Sequence, residues 1–381
     1  MQIHSLPIAR PDETLYSVAA RIRLANAARN DRDACRSLFG PSRNMRVSEF
    51  PVNLACFCRA THNCFGDPAR VLYDMTLAGF FERLDSRPWN AGSANAPIAT
   101  AGYGLATLSN GSAGRWRLCR RCIEDDLACH ATAFWRRAHH LPTGFLCPAH
   151  DMPLAACLSP PIERHNRFLL PEQTSTATMV PQMDWAAHHH VLVRLTALGI
   201  DVLEDGRQPV DARTVRAGMF KGLGNRGLLT ASGRLRPVQF AAEFAHRYHF
   251  LSLHPDFQLA LSPRGIDILA RNLSNPTAVR SAAHNILLID WLFGTWNAFH
   301  QHCVWQATMD GAGRAPAQVD RDGVWHRKVC LDFVESRASA TRSQFFRAAP
   351  KSFRWLLRHD GQWFNICLPL ARPTRTQGTL F

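Results

Sequence analysis

Lysine is nearly absent from this 381-residue chain: of 44 basic residues only Lys221, Lys328 and Lys351 are lysine, and the others are arginine. No Gly-rich loop ends in Lys, which excludes the phosphate cradle of the common nucleotide hydrolases, and neither a nucleophile elbow nor a zincin helix occurs. No apolar run approaches the ~18 residues of a membrane span. The start, Met1-Gln-Ile-His-Ser-Leu-Pro7, lacks a basic stretch followed by an apolar one, so the expectation is a soluble, intracellular protein. The twelve cysteines follow no disulfide-like framework, which fits thiols in a reducing compartment.

What is present is charge and bulk. The 44 basic residues face 30 acidic ones, giving +14, and 46% of the chain is apolar, enough for two or three cored domains. Guanidinium forks bind phosphate in a bidentate manner, so the surplus favours a polyanion such as nucleic acid. A genome that prefers arginine codons accounts for the scarcity of lysine but not for the excess over acids.

Cys119-Arg-Arg-Cys122 and Cys147-Pro-Ala-His150 carry the most specific signal. Two residues between paired ligands let one tight turn aim both at the same ion, and three thiolates with an imidazole suit tetrahedral zinc. Neither half is decisive alone, and buried free thiols are the competing reading. Four protein ligands leave no open position, so a structural Zn2+ is expected rather than a catalytic one. Trp116, Phe134 and Trp135 are expected to shield the metal core, and His139 and His140 fall outside the paired spacing.

Periodicity predicts a mainly α fold. A helix opens after Asp12-Glu-Thr14 and carries Leu15, Val18, Ile22 and Leu24 toward Asn30-Asp31. A short helix at Pro51–Ala60, a turn with Gly66, and a longer helix capped by Asp67 and running to Phe80 resemble a helix-turn-helix, though any small bundle gives the same pattern. Residues 88–114 read as an irregular connection. Inside the zinc module Ala133–Arg137 alternates as a strand does, followed by a turn at Leu141–Gly144. Helices are predicted over 191–198, 238–250, 266–273 and 286–299; His188, His189 and His190 read as an exposed helix start rather than a ligand set. The organisation expected is a helical, helix-turn-helix-like domain at 1–100, a zinc-finger module with short strands at 110–160, a linker at 161–185, and a helical domain at 186–381 with a second helix-turn-helix-like element.

That second element centres on Pro350. From Arg337 to Phe381 there are eight basic residues and one acid, Asp360. Phe353, Leu356 and Leu357 can face a core while Arg354 and Arg358 project, as a groove-reading helix requires. Arg342, Arg347, Lys351, Arg354 and Arg358 are the candidate nucleic-acid or partner contacts. The plainer alternative is a solvated basic face near a helix C-terminus.

Read together, Trp116–Cys122, Ala133–Arg137, Leu141-Pro142 and Cys147–Leu154 resemble the TniQ/TnsD family of transposition targeting proteins. Leu15-Tyr-Ser17, Leu72–Leu77, His302–Gln306 and Trp355–Trp363 are similar to blocks of that family in the same order, while 160–280 matches poorly. The resemblance implies a non-catalytic adaptor that selects the insertion site of a DNA transposon. Such a protein recognises target DNA, or a complex already bound to it such as an RNA-guided CRISPR effector, and recruits an AAA+ ATPase. It maps Cys119, Cys122, Cys147 and His150 onto the zinc ligands, and implies a homodimer in the bacterial cytoplasm near the nucleoid. Some members carry a further cysteine cluster, where this chain has only Cys157. A stand-alone zinc-containing transcription regulator is the alternative. A metal-dependent nuclease built on Asp184, Asp201 and Glu204 lacks a supporting pattern.

Overall fold

A computed structural model describes residues 3–40, 53–84, 116–158, 168–178, 183–207, 210, 212–275, 281–303, 321–337 and 340–368. The predicted connection at 88–114 lies outside these residues. The chain forms two compact units, 1–307 and 308–381. The expected boundaries at 100, 160 and 185 all fall within the first unit, and the expected 186–381 domain is divided between the two.

The fold is mainly helical with a few short strands. Unit one begins with α1 (Leu15–Ala25), capped by the Thr14 hydroxyl accepting from Ser17 N. α2 (Asp31–Phe39) is capped by Asn30. α3 (Leu54–Ala60), a turn, and α4 (Pro68–Met75) follow, with Asp67 capping α4 and proline in its first turn, where a missing N–H costs nothing. The predicted helix to Phe80 breaks at Thr76. Its hydroxyl donates to Leu72 O and accepts from Ala78 N, closing α4 and opening α5 (Ala78–Leu84). Apolar spacing continues through the break, because Met75, Leu77 and Phe80 are all buried, so periodicity alone could not reveal it.

The module that follows holds β1 (Arg117–Leu118), α6 (Arg120–His130), α7 (Arg137–His140), β2 (Ala155–Cys157) and β3 (Thr176–Thr178). The strands form one antiparallel sheet in the order β1-β2-β3, with Arg117 opposite Ala156 and Ala156 opposite Ala177. Ala133–Arg137 is not a strand of this sheet. It is extended and bonds the segment before α1 instead, with Thr14 N donating to Trp135 O and Arg137 N to Asp12 O (2.9 and 2.8 Å). Its alternation of bulk and charge does not track burial, since Ala133, Phe134 and Trp135 are all buried and Arg136 and Arg137 are half-buried in ion pairs with Asp126 and Asp12; the chain then turns at once into α7.

α8 (Trp185–Glu204), α9 (Ala212–Asn225), α10 (Pro237–Tyr248), α11 (Pro263–Ser274) and α12 (Ala282–Phe293) complete the labelled helices of this unit. The expected helix over 286–299 stops at Gly294, whose φ of +77° suits glycine, and residues 296–303 resume it. One continuous apolar cluster runs from Leu15 through Trp116 and Trp135 to Ile286 and Cys303. His188 stacks on Phe250 at 4.1 Å and His189 Nε2 meets Asp151, so the three histidines open α8 rather than gather on an ion. Unit two holds α13 (Arg321–Glu335), α14 (Arg342–Ala348), α15 (Pro350–His359) and α16 (Gly361–Cys367) around Cys330, Phe333, Phe345, Leu356, Phe364 and Leu368.

Candidate metal centre and basic surfaces

Strand pairing brings the half-sites together. β1 delivers Cys119 to the N-cap of α6, and Cys122 lies one turn in. The second half is a tight knuckle: Asp151 N donates to Cys147 O and Cys147 N to Met152 O, both 2.8 Å, with Asp151 at φ +49°. β2 then returns alongside β1, so the knuckle cannot swing away from Cys119.

The donor atoms of Cys119, Cys122, Cys147 and His150 all lie within 4.8 Å of one another. Cys122 Sγ is 3.5 Å from Cys147 Sγ, and His150 Nδ1 is 3.5, 3.4 and 3.5 Å from the sulfurs of Cys119, Cys122 and Cys147. A tetrahedron with metal bonds of about 2.0 to 2.3 Å has edges of about 3.5 to 3.8 Å, so the residues fit an ion of zinc's size and softness. His150 Nε2 lies 2.9 Å from Asp125 Oδ2, which fixes the ring and turns Nδ1 inward, as supporting carboxylates do at metal-bound imidazoles. The thiols compete for ionisation. Hydrogen bonding with Cys122 and then Cys147 holds Cys119 far below the ordinary thiol range, while bonding to Cys119 pushes Cys122 up, and Cys147 as well. A divalent cation is what would let all three be thiolates together.

The aromatic trio does not cover this centre. The apolar cluster around the ligands is Cys119, Cys122, Cys147 and Leu154. Trp116 lies 4.5 Å from the Tyr16 ring and 4.8 Å from Trp135, in the main core. The guanidiniums of Arg136 (3.9 Å) and Arg10 (5.0 Å) lie over the Phe134 ring. Trp116 and Trp135 join α1 to the module through Tyr16, and Tyr16 and Ser17 complete the joint by accepting from Leu169 N and Trp135 N. His139 and His140 are buried and are not among the four clustered donors, and desolvation keeps both neutral: His139 is pushed down to about 3 and His140 well below its usual range.

Sequence reasoning missed a buried ion pair beside the metal centre. Arg117, 1% exposed, bonds Asp256, 4% exposed, and also donates to Leu141 O and Gly144 O. An arginine in a two-residue strand reads as surface, and only its partner 139 residues away explains its burial.

The basic candidates in unit two separate by what they touch. Arg342 is half-buried and donates to Leu368 O (2.6 Å) and to Asn365, tying α14 to the end of α16. Arg347, Lys351 and Arg354 are exposed, with Arg354 5.8 Å from the Phe346 ring. Arg358 lies on α15, with its side chain outside the described residues. Ser352 and Leu356 face inward, as does part of Phe353, whereas Leu357 is 53% exposed rather than core. In unit one, α4 turns Arg70 and Asp74 outward as a 3.1 Å pair, so its exposed face has no surplus charge. Asp184 caps α8, and Asp201 and Glu204 lie near the other end of that helix; among the described residues the Cys119 tetrad is the one group of metal-ligating side chains.

The site is a helical scaffold carrying a Cys3His cluster that could hold a metal ion, beside a three-stranded sheet. Residues 6–154 match the TniQ family model, so the chain carries a TniQ domain over that segment, and such a domain suggests a transposition-associated targeting protein. No curated protein matches the sequence. Among the described residues no helix is long and apolar enough to cross a membrane.

Proposed function

We propose that this protein is a non-catalytic adaptor that reads target DNA, or a DNA-bound targeting complex such as an RNA-guided CRISPR effector, and recruits an AAA+ transposition ATPase. The match of the TniQ family to residues 6–154, the segment containing the whole Cys3His centre, carries the reading. Zinc held by Cys119, Cys122, Cys147 and His150 supplies a cross-link between β1, α6 and the 147–151 knuckle. Asp125 orients His150, and the module presents α1 and α8 as one body. Arg347, Lys351, Arg354 and Arg358 contact nucleic acid or an acidic partner face, with Arg342 positioning α14 beneath them. Homodimerisation and a place near the nucleoid belong to the same proposal.

The test is co-purification of the full chain with a candidate AAA+ transposition ATPase, in ATP and in ADP. ATP-dependent capture, with no ATP hydrolysis or DNA cleavage by the chain alone, supports the adaptor. Tight sequence-specific binding with a discrete footprint and no such capture would replace it with the stand-alone regulator.

A further inference from the structure

Three arginines from separate parts of unit one converge on two adjacent residues of α12, Asp290 and Trp291. Arg194, from α8, places Nε 2.5 Å from Asp290 Oδ1 and Nη2 3.2 Å from Oδ2. Arg247, from α10, reaches Oδ2 at 3.4 Å and the Tyr248 hydroxyl at 3.3 Å, and that hydroxyl donates to Oδ2 at 2.6 Å. Arg226, just after α9, donates to Trp291 O at 2.7 Å and lies over the Trp291 ring at 5.1 Å. The Asp290 side chain is fully buried, and a buried carboxylate needs one cation to balance it. It has two, and both remain about one-third exposed: 33% for Arg194 and 36% for Arg247. With exposed Arg226 the group carries three positive charges against one negative. Each of Arg194 and Arg247 spends Nε and Nη2 on these bonds, and among the described residues Nη1 of each has no partner.

The next segment continues the excess. Residues 228–236 form a small antiparallel turn, with Leu229 bridged to Leu235 and Arg236 N donating to Leu228 O (2.9 Å), and it presents Arg234 and Arg236 to solvent. The one acid exposed on the facing turn of α10 is Glu243, which accepts from Gln239.

We infer that Arg194, Arg226 and Arg247 form a phosphate clamp for the DNA backbone on unit one, flanked by the 228–236 turn. Guanidiniums already fixed by a carboxylate, a carbonyl and a ring lose little freedom when a phosphodiester accepts from their outer nitrogens, and three converging arginines, with two more exposed in the segment that follows Arg226, match a polyanion better than a single free anion. The clamp reads no bases and fixes the register of the chain on the duplex. It does not depend on zinc or on ATPase recruitment, so its failure leaves the adaptor reading standing.

The experiment is fluorescence anisotropy of a labelled 30-base-pair duplex with the full chain across a salt series, for the wild type and for Arg226→Gln/Arg247→Gln. The expected result is weaker binding, equal across unrelated duplexes, with the slope of log K against log salt reduced by about 0.9 for each arginine removed. If the double variant melts below the assay temperature, Arg226→Gln alone, which leaves both cations on Asp290, is expected to reduce the slope by about 0.9. An unchanged slope in a folded variant overturns the clamp. So does unchanged DNA binding with loss of binding to polyglutamate, which would assign the surface to an acidic protein.

Discussion

Arg117 and Asp256 form an ion pair closed off from solvent, joining the strand that leads into Cys119, the first candidate metal ligand, to the segment just before α11. Removing one partner leaves the other charged in an apolar setting, the costly direction for such a pair. Asp256→Ala is expected to lower the unfolding free energy by about 3 to 5 kcal/mol, and Arg117→Met/Asp256→Leu to recover most of the loss. Urea unfolding of the three proteins checks this; a double variant no better than the single one would show that the charge was not the cause.

Metal analysis of freshly purified protein is expected to give one zinc per chain. Chelation or Cys122→Ser then lowers the melting temperature sharply, since a structural ion's binding energy is folding energy. Asp125→Asn keeps the four ligands and is expected to weaken zinc affinity about 10- to 100-fold, as loss of supporting carboxylates does elsewhere. Competition with a chromogenic chelator measures it, and an affinity equal to wild type would remove Asp125 from the centre.

α8 presses against the loop before Cys147 at Gly199. A Cβ there would collide with the Thr143 hydroxyl, while Thr196 Oγ1 donates to Thr143 O at 3.0 Å. Gly199→Ala, normally favourable inside a helix, is expected to destabilise by about 1 to 3 kcal/mol through overpacking. Thr143→Ala in the same chain is expected to relieve it, as read from denaturant midpoints.

Burial pushes His139 down to about 3, with the charge of Arg136 adding to the effect. The folded form therefore keeps it neutral, while the unfolded chain binds a proton below about 6.5. The unfolded state holds more protons between these values, so stability falls as pH drops from about 6.5 toward 3, by up to about 1.4 kcal/mol per unit. His140, shifted the same way, steepens the decline. Urea unfolding between pH 7 and 5.5, with bound zinc monitored, is expected to give a shallower decline for His139→Gln than for wild type. Equal slopes would count against the assignment.

Phe345 is fully buried at the centre of unit two, 5.0 Å from the Phe333 ring and 5.8 Å from Phe364. Phe345→Ala is expected to cost about 3 to 5 kcal/mol there. Hydrogen exchange should rise across 321–368 and stay unchanged in the zinc module, whose core is separate. Loss of protection in both would mean that the units do not fold independently.

The Cys3His cluster was legible in the sequence because donor spacing is local: two tight turns either carry their donors at the right interval or do not. Helices with marked caps, such as Thr14 and Asp67, were legible for the same reason. The breaks at Thr76 and Gly294 were not, since a hydroxyl that returns to the backbone and a glycine at positive φ both sit within uninterrupted apolar spacing.

The sequence by itself determined a helical protein with an arginine surplus and a Cys3His donor set. Tertiary structure alone decided what each arginine does. Arg117 is consumed by Asp256 and Arg342 by Leu368 O and Asn365, while Arg194, Arg226 and Arg247 are gathered on α12. Composition counts charges, but whether a guanidinium balances a buried carboxylate or faces a polyanion depends on partners that lie up to 139 residues away, which only folding brings within reach.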